Sequence, residues 1–135
     1  MENKFSGYIE MEKPTPAKGI SRIWRALGYS IDGLKTGYRN EAAFRQEIIL
    51  FALLLPVLVL LPVSLPVKLI LLIINSLVLI AELLNSAIEA IVDKVSPEFN
   101  NLAKQAKDMG SAAVLLSLIL AALGWLSALY KAFLV

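Results

Sequence analysis

Carboxylates and amides line one face of an otherwise aliphatic helix in the middle of this chain. Residues 82–93 read Glu-Leu-Leu-Asn-Ser-Ala-Ile-Glu-Ala-Ile-Val-Asp. At about 100° per residue, a helix places Asn85, Glu89 and Asp93 within about 60° of Glu82. The residues before this row are uncharged and almost wholly aliphatic, which is typical of a membrane span. Because an acid deep in such a span costs roughly 2.5–3.5 kcal/mol to insert, we interpret this face as a functional site.

Asn75 falls on the same face, one heptad before Glu82. Hydrogen bonding between packed helices is the structural alternative for all of these polar side chains. It explains the two asparagines, Asn75 and Asn85, better than it explains three acids. The sequence therefore favours a chemical role for the acids and leaves the asparagines open to a packing role.

Two further acids, Glu41 and Glu47, stand at the entrance of the first hydrophobic stretch. Arg45 follows Glu41 by four residues, so the structural alternative for Glu41 is an ion pair on a helix surface. Acids at the mouth of a membrane span are candidates for the same site as the acids of residues 82–93.

The chain contains no histidine and no cysteine, so any acid–base or metal chemistry must rest on carboxylates. Magnesium is held by one or two carboxylates together with substrate phosphates. Phosphoryl transfer needs positioning, charge neutralisation and a group that receives the hydroxyl proton. Neither the Gly-x-x-x-x-Gly-Lys-[Ser/Thr] loop nor the Gly-x-Gly-x-x-Gly loop occurs in the sequence. The residues alone leave phosphoryl transfer and an ion or proton pathway equally open.

Composition places these acids in a small all-α membrane protein. The chain has 135 residues, of which 58% are hydrophobic, and a net charge of only +2, which does not indicate a nucleic-acid partner. Residues 1–18 carry mixed charge and end in a proline-containing stretch, which predicts a flexible tail. Residues 19–135 then form one membrane domain.

An amphipathic helix is predicted for residues 19–39. Its apolar residues fall on one side and its basic residues, among them Arg22 and Arg25, fall on the other. A basic amphipathic helix of this kind lies in the membrane surface with its aromatic side chains at the level of the headgroups.

Three transmembrane spans are predicted at about residues 48–65, 67–95 and 109–131. Ser96 followed by Pro97 predicts the N-cap and first position of a new helical segment after the second span. Basic residues crowd before the first span and in the loop after the second, whereas the other side has only Lys68 and Lys131. This asymmetry predicts a cytoplasmic N-terminus and gathers the acids at the cytoplasmic rim.

Three segments together resemble the bacterial integral-membrane diacylglycerol kinases, the prokaryotic diacylglycerol kinase family. They are residues 40–47, Asn-Glu-Ala-Ala-Phe-Arg-Gln-Glu, the acidic residues 82–93, and residues 106–114, Ala-Lys-Asp-Met-Gly-Ser-Ala-Ala-Val. The resemblance covers roughly residues 19 to 132. It implies a homotrimer in the bacterial cytoplasmic (inner) membrane that phosphorylates diacylglycerol with MgATP, with ATP as co-substrate and Mg²⁺ as cofactor.

The resemblance also implies roles for individual residues. Glu82 matches the catalytic base of the family, and Glu41 and Glu89 match its magnesium-binding glutamates, which also meet the nucleotide. The nucleotide contacts are matched by Lys107 and Asp108 and, more weakly, by Arg22, Tyr29, Glu98, Phe99 and Asn100. The lipid contacts are matched by Ser30 and Ser111, and also by Arg22, Glu47 and Glu82. Supporting polar positions are matched by Asn85, Asp93 and Glu47.

Two alternatives stay open beside diacylglycerol. Undecaprenol kinase is a related activity on a polyprenyl alcohol, and residues 40–47 resemble the diacylglycerol type more closely. A small ion or proton carrier would use the polar face that includes Asn75 and Glu82 as its path, but it leaves Lys107 and Asp108 unexplained.

Overall fold

A computed structural model describes residues 19–98 and 100–134 of the chain as four helices. They are α1 (Ile20–Asn40), α2 (Ala42–Leu60), α3 (Leu65–Val95) and α4 (Asn101–Phe133). The last three are each long and apolar enough to cross a membrane. The prediction of an all-α protein with three candidate spans is therefore confirmed. The predicted N-terminal tail, residues 1–18, lies outside the described residues.

The chain divides into two units, and the boundary falls inside α1, after Gly33. In the first unit the side chains of Ile23, Trp24 and Leu27 are each at least half exposed. A row of exposed aliphatic and aromatic residues on one helix is typical of a helix at a membrane surface. That placement of α1 stays a prediction.

In the second unit, α3 packs along α4 and also against α2. The short connection 61–64 makes α2 and α3 antiparallel neighbours, and Pro66 lies in the first turn of α3, where its missing N–H leaves no helical hydrogen bond unmade. Leu58, Leu61 and Leu71 form a buried cluster at this end of the bundle. Lys68 Nζ donates a hydrogen bond of 2.6 Å to the carbonyl of Val59, one of the last carbonyls of α2.

The boundary between α3 and α4 differs from the sequence prediction. Ser96 is the C-cap of α3, and its N–H donates to the carbonyl of Val92. Asn100 is the N-cap of α4, where its Oδ1 accepts a hydrogen bond of 2.8 Å from the N–H of Leu102. The prediction of an N-cap at Ser96 is therefore wrong. Because α4 begins at Asn101, the polar residues before Met109 belong to its first turns rather than to a loop.

Gly37 is the buried residue of α1, and it packs against α2 and α3 within the second unit. A Cβ at this buried position would lie 2.9 Å from Leu83 Cδ2 and 3.0 Å from Phe44 Cδ1. Phe44 is itself only 1% exposed, so it has little room to move away. The last turns of α1 therefore require a glycine here to reach α2 and α3.

Replacing Gly37 by valine is expected to destabilise the protein, because overpacking of a close contact costs about 1–3 kcal/mol. Thermal unfolding in detergent, followed by circular dichroism, measures the change. Gly28→Ala is the control, since a Cβ at Gly28 meets nothing within 4 Å and alanine favours the helix. A Gly37→Val variant as stable as Gly28→Ala would contradict this account of the packing.

Asn75 joins α3 to α4 in the middle of the bundle. Its Nδ2 donates 2.8 Å to the carbonyl of Leu71, and its Oδ1 accepts a hydrogen bond of 3.2 Å from Trp125 Nε1. Both ends of the amide are therefore used in packing. The structural alternative considered for the asparagines holds for Asn75, although its helical phase is that of the acids.

Trp125→Phe is expected to lower stability by about 0.5–1.5 kcal/mol, the usual net contribution of a hydrogen bond. The loss arises because Asn75 Oδ1 is left without its donor in an apolar bundle. Trp24→Phe makes the same chemical change at a side chain that is 67% exposed, and it should leave the unfolding temperature unaltered. Equal unfolding temperatures for both variants would count against a contribution from this bond.

Candidate active site

Among residues 19–98 and 100–134, Glu82 is the one buried carboxylate, with only 6% of its surface exposed. It lies on α3, and no described side chain donates a hydrogen bond to it. Three other acids, Glu47, Glu89 and Glu41, lie near enough to act on its charge. These acids come from α2, from α3 and from the N-cap of α2. The fold therefore brings together four glutamates that the sequence separates by up to 48 positions.

Glu41 occupies the N-cap of α2, yet its side chain makes no capping hydrogen bond. The ion pair with Arg45, the structural alternative considered for Glu41, is also absent among the described residues. Arg45 Nη1 instead donates to two carbonyls at the end of α1, at 3.0 Å to Tyr38 and 2.9 Å to Arg39. Because Arg45 satisfies the open carbonyls of α1, the carboxylate of Glu41 keeps its oxygens available for another partner.

Glu89 is held by a neighbour on its own helix. Asn85 Nδ2 donates a hydrogen bond of 3.0 Å to Glu89 Oε1, one turn further along α3. The opposite end of that amide, Asn85 Oδ1, is buried and has no hydrogen-bond partner among the described residues. Asn85 thus fixes one oxygen of Glu89 and leaves the other unbound.

An ion pair links α3 to α4 beyond Glu89. Lys107 Nζ donates 2.6 Å to Asp93 Oδ1. Asp108, the second nucleotide position implied by the resemblance, is paired with Lys104 one turn before it on α4. Lys104, Asp108 and Asp93 are more than half exposed and Lys107 is 38% exposed, so each pair contributes little to stability. The end of the bundle next to the acids therefore presents two lysines on one helix.

A small cavity of about 230 Å³ is lined by residues of all three spanning helices. Its polar lining residues are Glu47, Asn75 and Trp125. The rest of the lining is formed by aliphatic side chains and Phe51. Glu47 therefore adjoins a mostly apolar space rather than closely packed protein.

The side chains present fit a divalent cation of the magnesium type. Glu41 has both oxygens available and Glu89 has one, and carboxylate oxygens are the ligands that Mg²⁺ prefers. Among residues 19–98 and 100–134, no three acids lie close enough together to hold a metal. A cation here would therefore be held by one or two carboxylates and would take its remaining ligands from phosphates or water.

The remaining predicted site residues are mostly exposed. Ser111 and Glu98 are exposed, and Asn100 serves as the N-cap of α4. Arg22, Tyr29 and Ser30 belong to the first unit and are exposed there, with Ser30 Oγ donating 2.9 Å to the carbonyl of Ala26. Phe99 lies outside the described residues.

Sequence reasoning missed several contacts that the acids, or the helices that carry them, make in the structure. Arg45 caps α1, Lys104 pairs with Asp108, Trp125 binds Asn75, and Gly110 packs against Asn85. Lys104 could have been found, because it precedes Asp108 by four residues on a helix. The other contacts join separate helices and leave no periodic signal in the sequence.

Comparison with known proteins gives a consistent result. The family model of prokaryotic diacylglycerol kinase matches residues 28–129. A diacylglycerol kinase of Pseudomonas aeruginosa is 48% identical over 115 residues, which cover 83% of this chain and 94% of the relative. One of Escherichia coli K12 is 44% identical over 115 residues, covering 85% and 94%. One of Helicobacter pylori is 43% identical over 116 residues, covering 86% and 91%.

The match includes α2, α3, α4 up to residue 129, and Glu82 with the three glutamates around it. It also extends over nearly the whole length of the relatives. The resemblance inferred from three sequence segments is thereby confirmed. An all-helical membrane bundle with a buried carboxylate, matched over this length and at this identity, shows that the chain belongs to the prokaryotic diacylglycerol kinase family and is a lipid kinase.

Proposed function

We propose that this protein transfers the γ-phosphoryl group of ATP to the free hydroxyl of diacylglycerol, which gives phosphatidate. The relatives over most of its length are named diacylglycerol kinases. The observation that carries the proposal is the buried Glu82 carboxylate with the charges of three further acids acting on it. Such a concentration of negative charge in a membrane bundle is unfavourable unless a cation and a reacting substrate meet it.

Glu82 is the proposed general base. It takes the proton from the lipid hydroxyl as that oxygen bonds to the γ-phosphorus, while ADP leaves with the electrons of the broken bond. Its carboxylate has no hydrogen-bond donor of its own among the described residues, so an oxygen is available to the substrate. The neighbouring Glu47 and the apolar cavity beside it suit a substrate whose hydroxyl is polar and whose body is not.

Glu41 and Glu89 are the proposed ligands of Mg²⁺. When bound, Mg²⁺ supplies positive charge that offsets the phosphate charges. Asn85 orients Glu89, and Lys107 and Asp108 meet the nucleotide. Release of Lys107 from Asp93 provides a cation for a phosphate, because that pair is exposed and therefore readily exchanged.

The setting proposed for this chemistry is the cytoplasmic side of the bacterial inner membrane, with the N-terminus also cytoplasmic. The distribution of basic residues favours that orientation. We propose a homotrimer on the resemblance to the family. One chain gathers no three acids around a metal in its described part, which is in keeping with a site completed by a neighbouring subunit.

The test uses the full-length protein, purified in detergent, with Mg²⁺ and γ-labelled ATP in mixed micelles. Diacylglycerol and undecaprenol are offered in separate reactions and then together, and the products are identified by mass. We expect label in phosphatidate and a clear preference for diacylglycerol. Label mainly in undecaprenyl phosphate would reverse the substrate assignment. Liposomes that pass ions without ATP hydrolysis, and no labelled lipid, would favour a carrier instead.

A further inference from the structure

Gly110 lies where α4 crosses α3 at Asn85. It is buried, and a Cβ at this position would collide with Asn85 Oδ1. The same Cβ would lie 3.4 Å from Asn85 Cγ and 3.7 Å from Asn85 Cα. The nearest atoms are thus the amide end of the Asn85 side chain, which its hydrogen bond to Glu89 restrains, and the α3 backbone behind it.

The contact with Gly110 also explains the state of the Asn85 amide. Its Nδ2 donates to Glu89, whereas its Oδ1 is buried without a hydrogen-bond partner among the described residues. A buried acceptor without a donor is unfavourable, so this orientation has to be imposed by its surroundings. Oδ1 lies toward the α-carbon of Gly110, in the direction of the hydrogen that a side chain would replace. Only a weak C–H···O contact is available to it there.

We infer that Gly110 is a positioning residue for the phosphoryl-transfer site: by carrying no side chain it lets Asn85 keep the amide orientation that holds Glu89. The inference rests on the proposed function, in which Glu89 is a magnesium ligand. A methyl group at position 110 displaces Oδ1, and because both ends belong to one planar amide, the displacement also moves Nδ2 away from Glu89 Oε1. Glu89 then loses the hydrogen bond that fixes its carboxylate.

Gly110→Ala is the primary test, and its readout is metal binding rather than turnover alone. Mn²⁺ replaces Mg²⁺, and free Mn²⁺ is measured by electron paramagnetic resonance with a non-hydrolysable ATP analogue present. We expect Mn²⁺ affinity to fall about 10–100-fold, the usual effect of removing a residue that orients a metal ligand. Phosphatidate formation should fall by a similar factor and recover in part at high Mg²⁺.

Gly124→Ala is the matched control. It is the same substitution in the same helix, and its Cβ would also meet an α3 side chain, the flexible end of Ile74. If Gly110→Ala acted only by pushing α3 and α4 apart, Gly124→Ala would weaken Mn²⁺ binding as well. We expect its Mn²⁺ affinity to stay within about twofold of the wild-type value.

A double-mutant cycle identifies the partner through which Gly110 acts. Asn85→Ala alone should weaken Mn²⁺ binding about as much as Gly110→Ala, since either change frees Glu89. In the Asn85→Ala background, Gly110→Ala should then change the affinity by less than about twofold. If Gly110→Ala does not fold, truncating Asn85 in the double variant should restore the fold, because the clash is with Asn85.

Three results would overturn the inference. The first is that Gly110→Ala folds and binds Mn²⁺ with wild-type affinity. The second is that Gly110→Ala weakens Mn²⁺ binding just as much in the Asn85→Ala background. The third is that the double variant fails to fold although Asn85→Ala alone folds. Absence of lipid phosphorylation by the wild-type protein is a different result. It would overturn the proposed function, while Mn²⁺ binding would still decide the role of Gly110. A wild-type protein that binds no Mn²⁺ would overturn both.

Discussion

Glu82→Gln should reduce the rate of phosphatidate formation by about 10²–10⁴-fold, the contribution of a positioned general base. Glutamine has nearly the shape of glutamate but cannot accept the proton of the lipid hydroxyl. Glu82 is only 6% exposed and lies near the negative charges of Glu47, Glu89 and Glu41. Replacing its carboxylate by a neutral amide should therefore not destabilise the fold. The measurement is kcat with saturating diacylglycerol and MgATP, together with the unfolding temperature.

Ser76→Ala provides the comparison on the same helix. It removes a polar side chain whose hydroxyl donates to the carbonyl of Leu72, away from the acids. We expect this variant to keep near-wild-type kcat. If Glu82→Gln were folded and turned over lipid at more than half the wild-type rate, the assignment of the base would be wrong.

Loss of either proposed magnesium ligand should raise the Mg²⁺ concentration needed for half-maximal activity. We expect about 100-fold or more for Glu41→Gln and for Glu89→Gln, above the 10–100-fold typical of residues that merely orient a ligand. The reason is that one chain brings no third acid close enough to replace a missing carboxylate within its described part. A Mg²⁺ titration of kcat at fixed ATP measures the effect.

Asp32→Asn is the control for these two variants, since it removes an exposed carboxylate of the first unit to which we assign no role. Its Mg²⁺ dependence should match that of the wild type. If Glu41→Gln and Glu89→Gln left the magnesium dependence and the turnover unchanged, the assignment of the metal to this site would be wrong. Loss of turnover with unchanged magnesium dependence would instead indicate that the carboxylates act on the lipid or the nucleotide.

The sequence was sufficient for the fold class because membrane spans depend on composition and length, which can be counted without knowing any contact. It was not sufficient for the helix ends. Ser96 and Asn100 are both good N-cap residues, and the choice between them depends on where the preceding helix stops. Since α3 continues to Val95, Ser96 is used to end it and Asn100 begins α4.

The candidate site shows the same limit: helical periodicity predicts which residues share a face of one helix, but not which contacts form between helices. Helical phase placed Glu82, Glu89 and Asn85 on one face, and two of them are joined by a hydrogen bond. Helical phase could not distinguish Asn75 from these site residues, because Asn75 has nearly the same angular position. It lies further along the helix from Glu89 and accepts a hydrogen bond from Trp125. Nor could it show that Arg45 turns to the end of α1, because that contact depends on the angle between two helices.

The unequal lengths of the spanning helices bear on how the protein handles two very different reactants. α2 has 19 residues and α3 has 31, so α3 extends about 18 Å further at 1.5 Å per residue. Since the two helices join at the Leu60–Leu65 end, the excess of α3 lies at the opposite end, where the Asp93–Lys107 contact joins it to α4. In the proposed reaction, a water-soluble polyanion would approach this extended end of α3 from the aqueous phase and an oil-soluble alcohol would reach it laterally through the bilayer, so that neither would have to leave its own solvent before the two meet.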